Sequence, residues 1–469
     1  MRTTRPNILL IMADQLRYDC VGYSKTAPVS TPYIDALAAE GAWFTKAYSH
    51  IPVCGPARQS LVCGQRPETF GGLWNYNIAL KVGSLEPGAY SWARALQEAG
   101  YRNGYVGKWD VHPRCNPTMY GYDEYVDSDA LYREWVKEQY PNLAYTAAYF
   151  GETDPLPLEH TRTHRTSELA GAVLRKLAGD GRPWHLRVNF QEPHLPCRPA
   201  APFADRYQPD DVPVWGSFAD TFEGKPYIQR QQLLNWNVQD YTWRDWAPIV
   251  ARYYAIISQL DDAVGALLRQ LDATGQRDDT LVIFTSDHGD LCGGHRMMDK
   301  HYVMYEDVVK VPLAVRWPGV VPAGSGSDEF VYNLLDLPPT LLQASGAAVP
   351  DPERHRLHGE SLMPLLLGQE PPAWRDEIVA TYNGQQFGLY TQRMIRTRKW
   401  KYVWNTTDVD ELYDMQSDPH ELLNVIGHPE HRLAVRELRR KLYETLLQDG
   451  DGLVRNEWMR AQLLEGRKV

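Results

Sequence analysis

Short β-rich apolar runs alternate along this chain with longer stretches of helical periodicity, and few architectures accept that order. The runs lie at 8–12, 104–106, 185–190, 281–285 and 312–316; the stretches 32–40, 90–99, 167–178 and 249–273 keep apolar residues on one helical face. The alternation predicts an α/β fold, a mostly parallel sheet sandwiched by helices. Gly100 ends the second helix where a left-handed cap is needed. From 376 the pattern changes to short β-like pieces at 378–382, 387–391, 394–396 and 401–404, followed by a charged helix at 429–447. The chain therefore divides into a large α/β unit, 1–372, and a small antiparallel sheet with a closing helix, 373–469, joined by the linker-like 367–373. The stretch 193–246, rich in Pro, Trp, Tyr and Asp, reads as an excursion over one sheet edge that shapes a pocket.

Several function classes drop out on charge and composition. A formal net charge of -10 argues against a nucleic-acid binder, which needs a basic surface to displace counterions from phosphates. The apolar run 7–12 is too short to span a membrane and follows residues 1–5 with no small-residue cleavage site, so it is expected to be the first buried strand of a cytoplasmic protein. Six cysteines (Cys20, Cys54, Cys63, Cys115, Cys197 and Cys292) show no paired zinc-type spacing, and all but Cys54 read as small buried apolar residues.

Ligands of open parallel sheets gather beyond the carboxyl ends of the strands, so the residues just after each run carry the chemical information. Asp14 and Gln15 follow the first run, Lys108 the second, His194 the third, and Asp287 and His288 the fourth. Either aspartate alone is also a plausible helix cap. Together at one rim, two carboxylates 4 Å apart would repel by about 4 kcal/mol at an effective dielectric near 20, and a cation is the simple remedy. Oxygen ligands from Asp14, Gln15 and Asp287 favour calcium or magnesium over zinc. In Cys54-Gly55-Pro56-Ala57-Arg58, the proline turns the chain and a helix is expected from Gln59, placing Cys54 just before a positive helix end with Arg58 close by. That setting predicts a lowered thiol pKa and affinity for an anion.

These residues make the chain resemble the sulfatase family of the alkaline-phosphatase superfamily. Cys54 to Arg58 matches C-x-P-x-R, and with it stand P-N-I-L-x-I-x-A-D-Q-L from Pro6, G-K-W from Gly107, E-P-H ending at His194, and S-D-H-G-D from Ser286 with Lys300 downstream. The resemblance implies an alkaline-phosphatase-like fold, hydrolysis of sulfate esters, and conversion of Cys54 to formylglycine by a separate maturation enzyme. It also implies that Asp14, Gln15, Asp287, His288 and modified residue 54 surround calcium or magnesium. Arg58, Lys108 and Lys300 would then balance sulfuryl charge, and His194 would protonate the departing alcohol. After G-K-W many relatives have His, whereas this chain has Asp110 and then His112. The preferred reading is that His112 reaches the place of the missing imidazole; the other is that Asp110 binds part of the substrate.

Aromatic faces beside polar groups suit a sugar ring, so Trp74, Asn75, Tyr76, Asn77, Trp215, Trp236, Trp243 and Trp246 are candidates for holding a sulfated carbohydrate. Arg162, His164 and Arg165 either recognise a second anionic group or form a solvated helix start. Two other readings remain. Phosphonate monoester and phosphodiester hydrolases share C-x-P-x-R, the Asp-Gln pair and formylglycine, and a non-catalytic binder of sulfated glycans would keep the fold.

Overall fold

The computed structural model describes residues 5–77, 80–371, 373–385 and 387–468. Pro372, on the expected domain boundary, lies outside the described residues, as do residues 1–4 and Val469. The described strands are β1 (Asn7–Asp14), β2 (Ala42–Phe44), β3 (Ala47–Tyr48), β4 (Arg102–Gly107), β5 (Glu124–Val126), β6 (Trp184–Pro193), β7 (Thr280–Ser286), β8 (Leu313–Arg316), β9 (Ser325–Ser327), β10 (Val331–Tyr332), β11 (Glu377–Gln385), β12 (Gly388–Thr397), β13 (Trp400–Asn405) and β14 (Glu411–Asp414). Eight of them form one sheet in the order β5-β4-β6-β1-β7-β8-β2-β9. Only β8 runs against its neighbours β7 and β2. All five runs read from the sequence for this sheet are strands of it.

The helices used below are α1 (Pro32–Ala39), α2 (Cys54–Cys63), α3 (Trp92–Glu98), α4 (Ser128–Gln139), α5 (Arg162–Ala178), α6 (Tyr227–Asn235), α7 (Trp243–Ala273), α8 (Glu306–Val309), α9 (Leu337–Ser345), α10 (Met363–Leu366), α11 (Arg432–Gln448) and α12 (Glu457–Glu465). Along β1, Leu9 and Ile11 pack with α5 and α7 in one core, while Ile8, Leu10 and Met12 pack with α2, α3 and α9 in another. Burial on both faces is why β1 reads as an unbroken apolar run.

Two expected boundaries move for local reasons. Helix α2 begins at Cys54, not at Gln59, because Pro56 falls in its first turn, where a missing N–H removes no intrahelical bond. Helix α7 begins at Trp243 inside the expected excursion, since Thr242 and Asp245 form a capping box. The excursion also contains α6. None of the described helices is long and apolar enough to cross a membrane.

The last four strands form a separate antiparallel sheet in the order β11-β12-β13-β14. The pieces expected at 387–391 and 394–396 are one strand, because the polar residues between them are satisfied in place. Gln392 donates to Asn405 Oδ1 at 2.8 Å and Arg393 Nε to Asp451 at 2.6 Å. One face of this sheet packs against α11 and α12 through Val379, Ile395, Trp404, Leu438 and Leu442; the other, through Ile378, Ala380 and Met394, belongs to the core of the large sheet. The small sheet is thus docked by burial and not merely tethered.

Candidate active site

The neighbouring parallel strands β4, β6, β1 and β7 end at one rim, so their following residues converge although they are far apart in sequence. The fully buried Asp14 and Asp287 share one guanidinium: Arg58 Nη2 lies 3.0 Å from Asp14 Oδ2 and 2.9 Å from Asp287 Oδ2. Lys108 Nζ lies 2.6 Å from the same Asp14 oxygen and 3.2 Å from Asp110. Burial alone would raise the Asp14 pKa, but Lys108 and Arg58 hold it well below the ordinary carboxylate range.

The first turn of α2 brings Cys54 Sγ to 3.6 Å from Asp14 Oδ1 and 3.2 Å from His288 Nε2. Ligand atoms of Asp14, Cys54, Asp287 and His288 all lie within 4.8 Å of one another. His288 Nδ1 contacts the Gly289 carbonyl at 2.8 Å, so that nitrogen carries the proton and the Nε2 lone pair faces the cluster. Burial lowers the pKa of this imidazole. Two carboxylates, an inward imidazole lone pair and a side chain at position 54 form a donor set that fits a divalent cation.

The thiol itself departs from expectation. Burial and the neighbouring Asp14 push Cys54 up to about 12, against the lowering expected from a helix end and Arg58. The reason is geometric: Arg58 spends its guanidinium on the two aspartates, leaving the thiol buried beside Asp14.

A cavity of about 720 Å³ opens above Cys54, with Lys108, Asp110, His194 and Lys300 in its lining. Lys300 Nζ reaches Gln15 Oε1 at 2.6 Å and His194 Nε2 at 3.1 Å, and lies 3.3 Å from Asp299. His194 Nδ1 meets the Leu195 carbonyl at 2.7 Å, so Nε2 accepts from the ammonium. Burial and Lys300 lower its pKa to about 3.

Several sequence expectations need correction here. Beside the centre, the Gln15 carbonyl accepts from Lys300, and its amide donates to Asp290 at 2.6 Å and Asp299 at 3.0 Å. His112 does not reach the cavity above Cys54, because its Nδ1 accepts from the backbone amides of Arg114 and Cys115 and its ring lines a neighbouring cleft. Asp110 occupies the cavity wall instead. Among the tryptophans only Trp236 lines the cavity, flanked edge-on by Tyr149 and Phe387; Trp215 and Trp246 are core, with Trp243 packed against it. Asn75 and Asn77 line the cavity, Tyr76 bonds Asp110 at 3.4 Å, and Trp74 donates to the Leu80 carbonyl. Arg162, His164 and Arg165 lie at the start of α5 and pair with Glu192, Asp262 and Glu168, away from the cavity.

The residues that sequence reasoning missed are Asp290, Asp299, Gln191 and Gln385. Asp290 and Asp299 had a signal, since one closes the S-D-H-G-D run and the other precedes Lys300.

Comparison with known proteins gives two family matches, Sulfatase over residues 6–347 and N-sulphoglucosamine sulphohydrolase, C-terminal, over residues 293–448. The chain is 30% identical over 459 residues to an ulvan-active sulfatase of Formosa agariphila, covering 96% of this chain and 82% of that protein. It is 31% identical over 451 residues to a choline-sulfatase of Rhizobium meliloti, covering 92% and 84%. Among solved structures, a phosphonate monoester hydrolase of Agrobacterium radiobacter superposes with a TM-score of 0.82 at 28% identity, covering 95% of this chain and 96% of that one.

Proposed function

We propose, from the premise that this chain belongs to the sulfatase family of the alkaline-phosphatase superfamily and hydrolyses sulfate esters, how its own residues carry the reaction and which alcohol they select. The observation behind the reading is the meeting of Asp14, Cys54, Asp287 and His288 within 4.8 Å beneath a cavity lined by Lys108 and Lys300. Asp14, Asp287 and His288 would hold a divalent cation, calcium first and magnesium as the alternative, supplying Lewis acidity at the sulfuryl oxygens. Residue 54, oxidised by a maturation enzyme to an aldehyde, would supply as its hydrate both a nucleophilic hydroxyl and a second hydroxyl whose collapse releases sulfate.

The chain's own side chains do the rest. Arg58 keeps the two carboxylates together and Lys108 and Lys300 face the cavity as cations, so charge developing on the sulfuryl group meets donors already in place. His194 turns its Nε2 lone pair to the Lys300 ammonium, so the expected protonation of the departing alcohol by His194 would draw on the proton the two share. The proton for the departing oxygen is held by the Lys300–His194 couple, with the ammonium as its carrier.

A sulfated carbohydrate suits the cavity. Trp236 offers an aromatic face, and Asn75, Asn77, Gln191 and Gln385 offer hydroxyl partners around it. The relative named for activity on ulvan supports the same reading. A phosphonate monoester substrate is the second reading, favoured by the superposition on the Agrobacterium radiobacter enzyme. Matched sulfate and phosphonate esters separate the two: a higher kcat/KM on the sulfate ester is expected, and a clear preference for the phosphonate would reverse the assignment.

A further inference from the structure

The backbone of Lys108, not only its side chain, sits in an unusual environment. Its carbonyl oxygen accepts three hydrogen bonds, from Arg58 Nη1 at 3.0 Å, Tyr105 Oη at 2.6 Å and Asn189 Nδ2 at 2.9 Å. A carbonyl has two lone pairs, so three converging donors hold this peptide more firmly than a strand end requires. Its N–H donates back to the Asn189 carbonyl at 3.2 Å. The approach is possible because position 107 is glycine at φ +102°, where an added Cβ would fall 1.9 Å from the Asn189 oxygen.

Behind this peptide lies a charge that the reaction scheme does not use. Arg187 is fully buried, forms no ion pair among the described residues, and leaves Nη1 and Nη2 without hydrogen-bond partners. A buried guanidinium facing no carboxylate is costly, and apolar residues would fill a sheet interior more stably. Arg187 also neighbours the Tyr122 hydroxyl, and two of its contacts lead to Lys108. Nε donates to Asn189 Oδ1 at 3.2 Å, which turns the amide nitrogen toward the Lys108 carbonyl and the Tyr105 hydroxyl; the guanidinium also lies 5.2 Å from the Tyr105 ring centroid.

We infer that Arg187, Asn189 and Tyr105 form a positioning tier that fixes the Lys108 peptide and thereby aims its ammonium at the sulfuryl group. The inference rests on the reading of Lys108 as a sulfate-facing cation. Arg187 orients Asn189 and braces the Tyr105 ring; Asn189 and Tyr105 grip the carbonyl; the side chain, anchored at its root, reaches Asp14 and Asp110 at the cavity wall. None of the three touches substrate. Their effect passes through Lys108, so it must vanish when that ammonium is gone.

A double-mutant cycle with para-nitrophenyl sulfate as substrate tests this. Tyr105→Phe removes one hydroxyl and keeps the ring, so the fold survives, and thermal melting checks that it does; Arg187→Met is the second probe. Each is expected to lower kcat/KM about ten-fold in the parent and to change it less than about two-fold in a Lys108→Ala background. Equal losses in both backgrounds, or no loss from Tyr105→Phe in the parent, would overturn the tier while leaving the role of Lys108 intact. Turnover by Lys108→Ala at the parent rate would instead remove the sulfate-facing role and the tier with it.

Discussion

Two of this molecule's clusters of buried charge differ in what their cations are left free to do. At the rim of the large sheet, Arg58, Lys108 and Lys300 answer Asp14, Asp287 and Asp299, and both lysines line an open cavity. Where the small sheet docks, Lys401 lies between Glu306 at 2.9 Å and Glu421 at 2.7 Å and donates to the Met304 carbonyl at 2.9 Å; Lys225 pairs with Asp220 and donates to the Glu421 carbonyl at 2.6 Å. The side chains of Lys401 and Lys225 have no exposed surface. Burial by itself therefore does not mark function. A buried cation that also faces open space is available to a ligand, whereas one enclosed on every side is part of the docking.

The same substitution in each cluster should break the comparison if it is wrong. Lys401→Met leaves Glu306 and Glu421 without their shared cation and should cost about 3–5 kcal/mol of stability in urea titration. The folded fraction should keep its kcat/KM. Lys300→Met should do the reverse, lowering kcat/KM about 10²–10³-fold, because it removes a donor at developing charge. Its stability should change less, since Asp299 retains His301 at 2.9 Å and Gln15 at 3.0 Å. Matching losses of stability in both variants would erase the distinction.

A lone carboxyl sharpens it further. Asp261 accepts from the backbone amides of Tyr33 and Ile34 and has the carboxylates of Asp35 and Asp262 as charged neighbours, and burial pushes its pKa up to about 7. The folded state then keeps a proton that the unfolded chain loses near pH 4, so folded binds more protons than unfolded across that interval. This contribution to stability must fall as pH rises from about 4 to about 7, by on the order of 4 kcal/mol, and level off above. In Asp261→Asn, melting temperature across that window should lose this slope. An unchanged slope would show that another group titrates there.

Much of this arrangement was legible in the sequence, for a physical reason. Strand runs buried on both faces announce themselves, and in a parallel sheet the residue after each run is placed by topology, which is how Asp14, Lys108, His194 and Asp287 fall at one rim. Side-chain direction is not carried by that pattern. Gln15, adjacent to Asp14, turns its amide to Asp290 and Asp299, and His112 is captured by two backbone amides only two and three residues on. Tryptophans were ambiguous for a similar reason: Trp246 lies on the inner face of α7 and Trp236 just past the end of α6, a difference set by packing. The Lys401 cluster left no mark, because its partners come from α8, β13 and the loop after β14, brought together only when the small sheet docks.

Mass spectrometry of the tryptic peptide spanning residues 47–58, on enzyme produced with graded levels of the maturation enzyme, tests the chemistry at residue 54 most directly. Turnover of a sulfate ester should rise in proportion to the fraction of aldehyde and extrapolate to zero for the pure thiol. Full turnover by protein that retains the Cys54 thiol would contradict it.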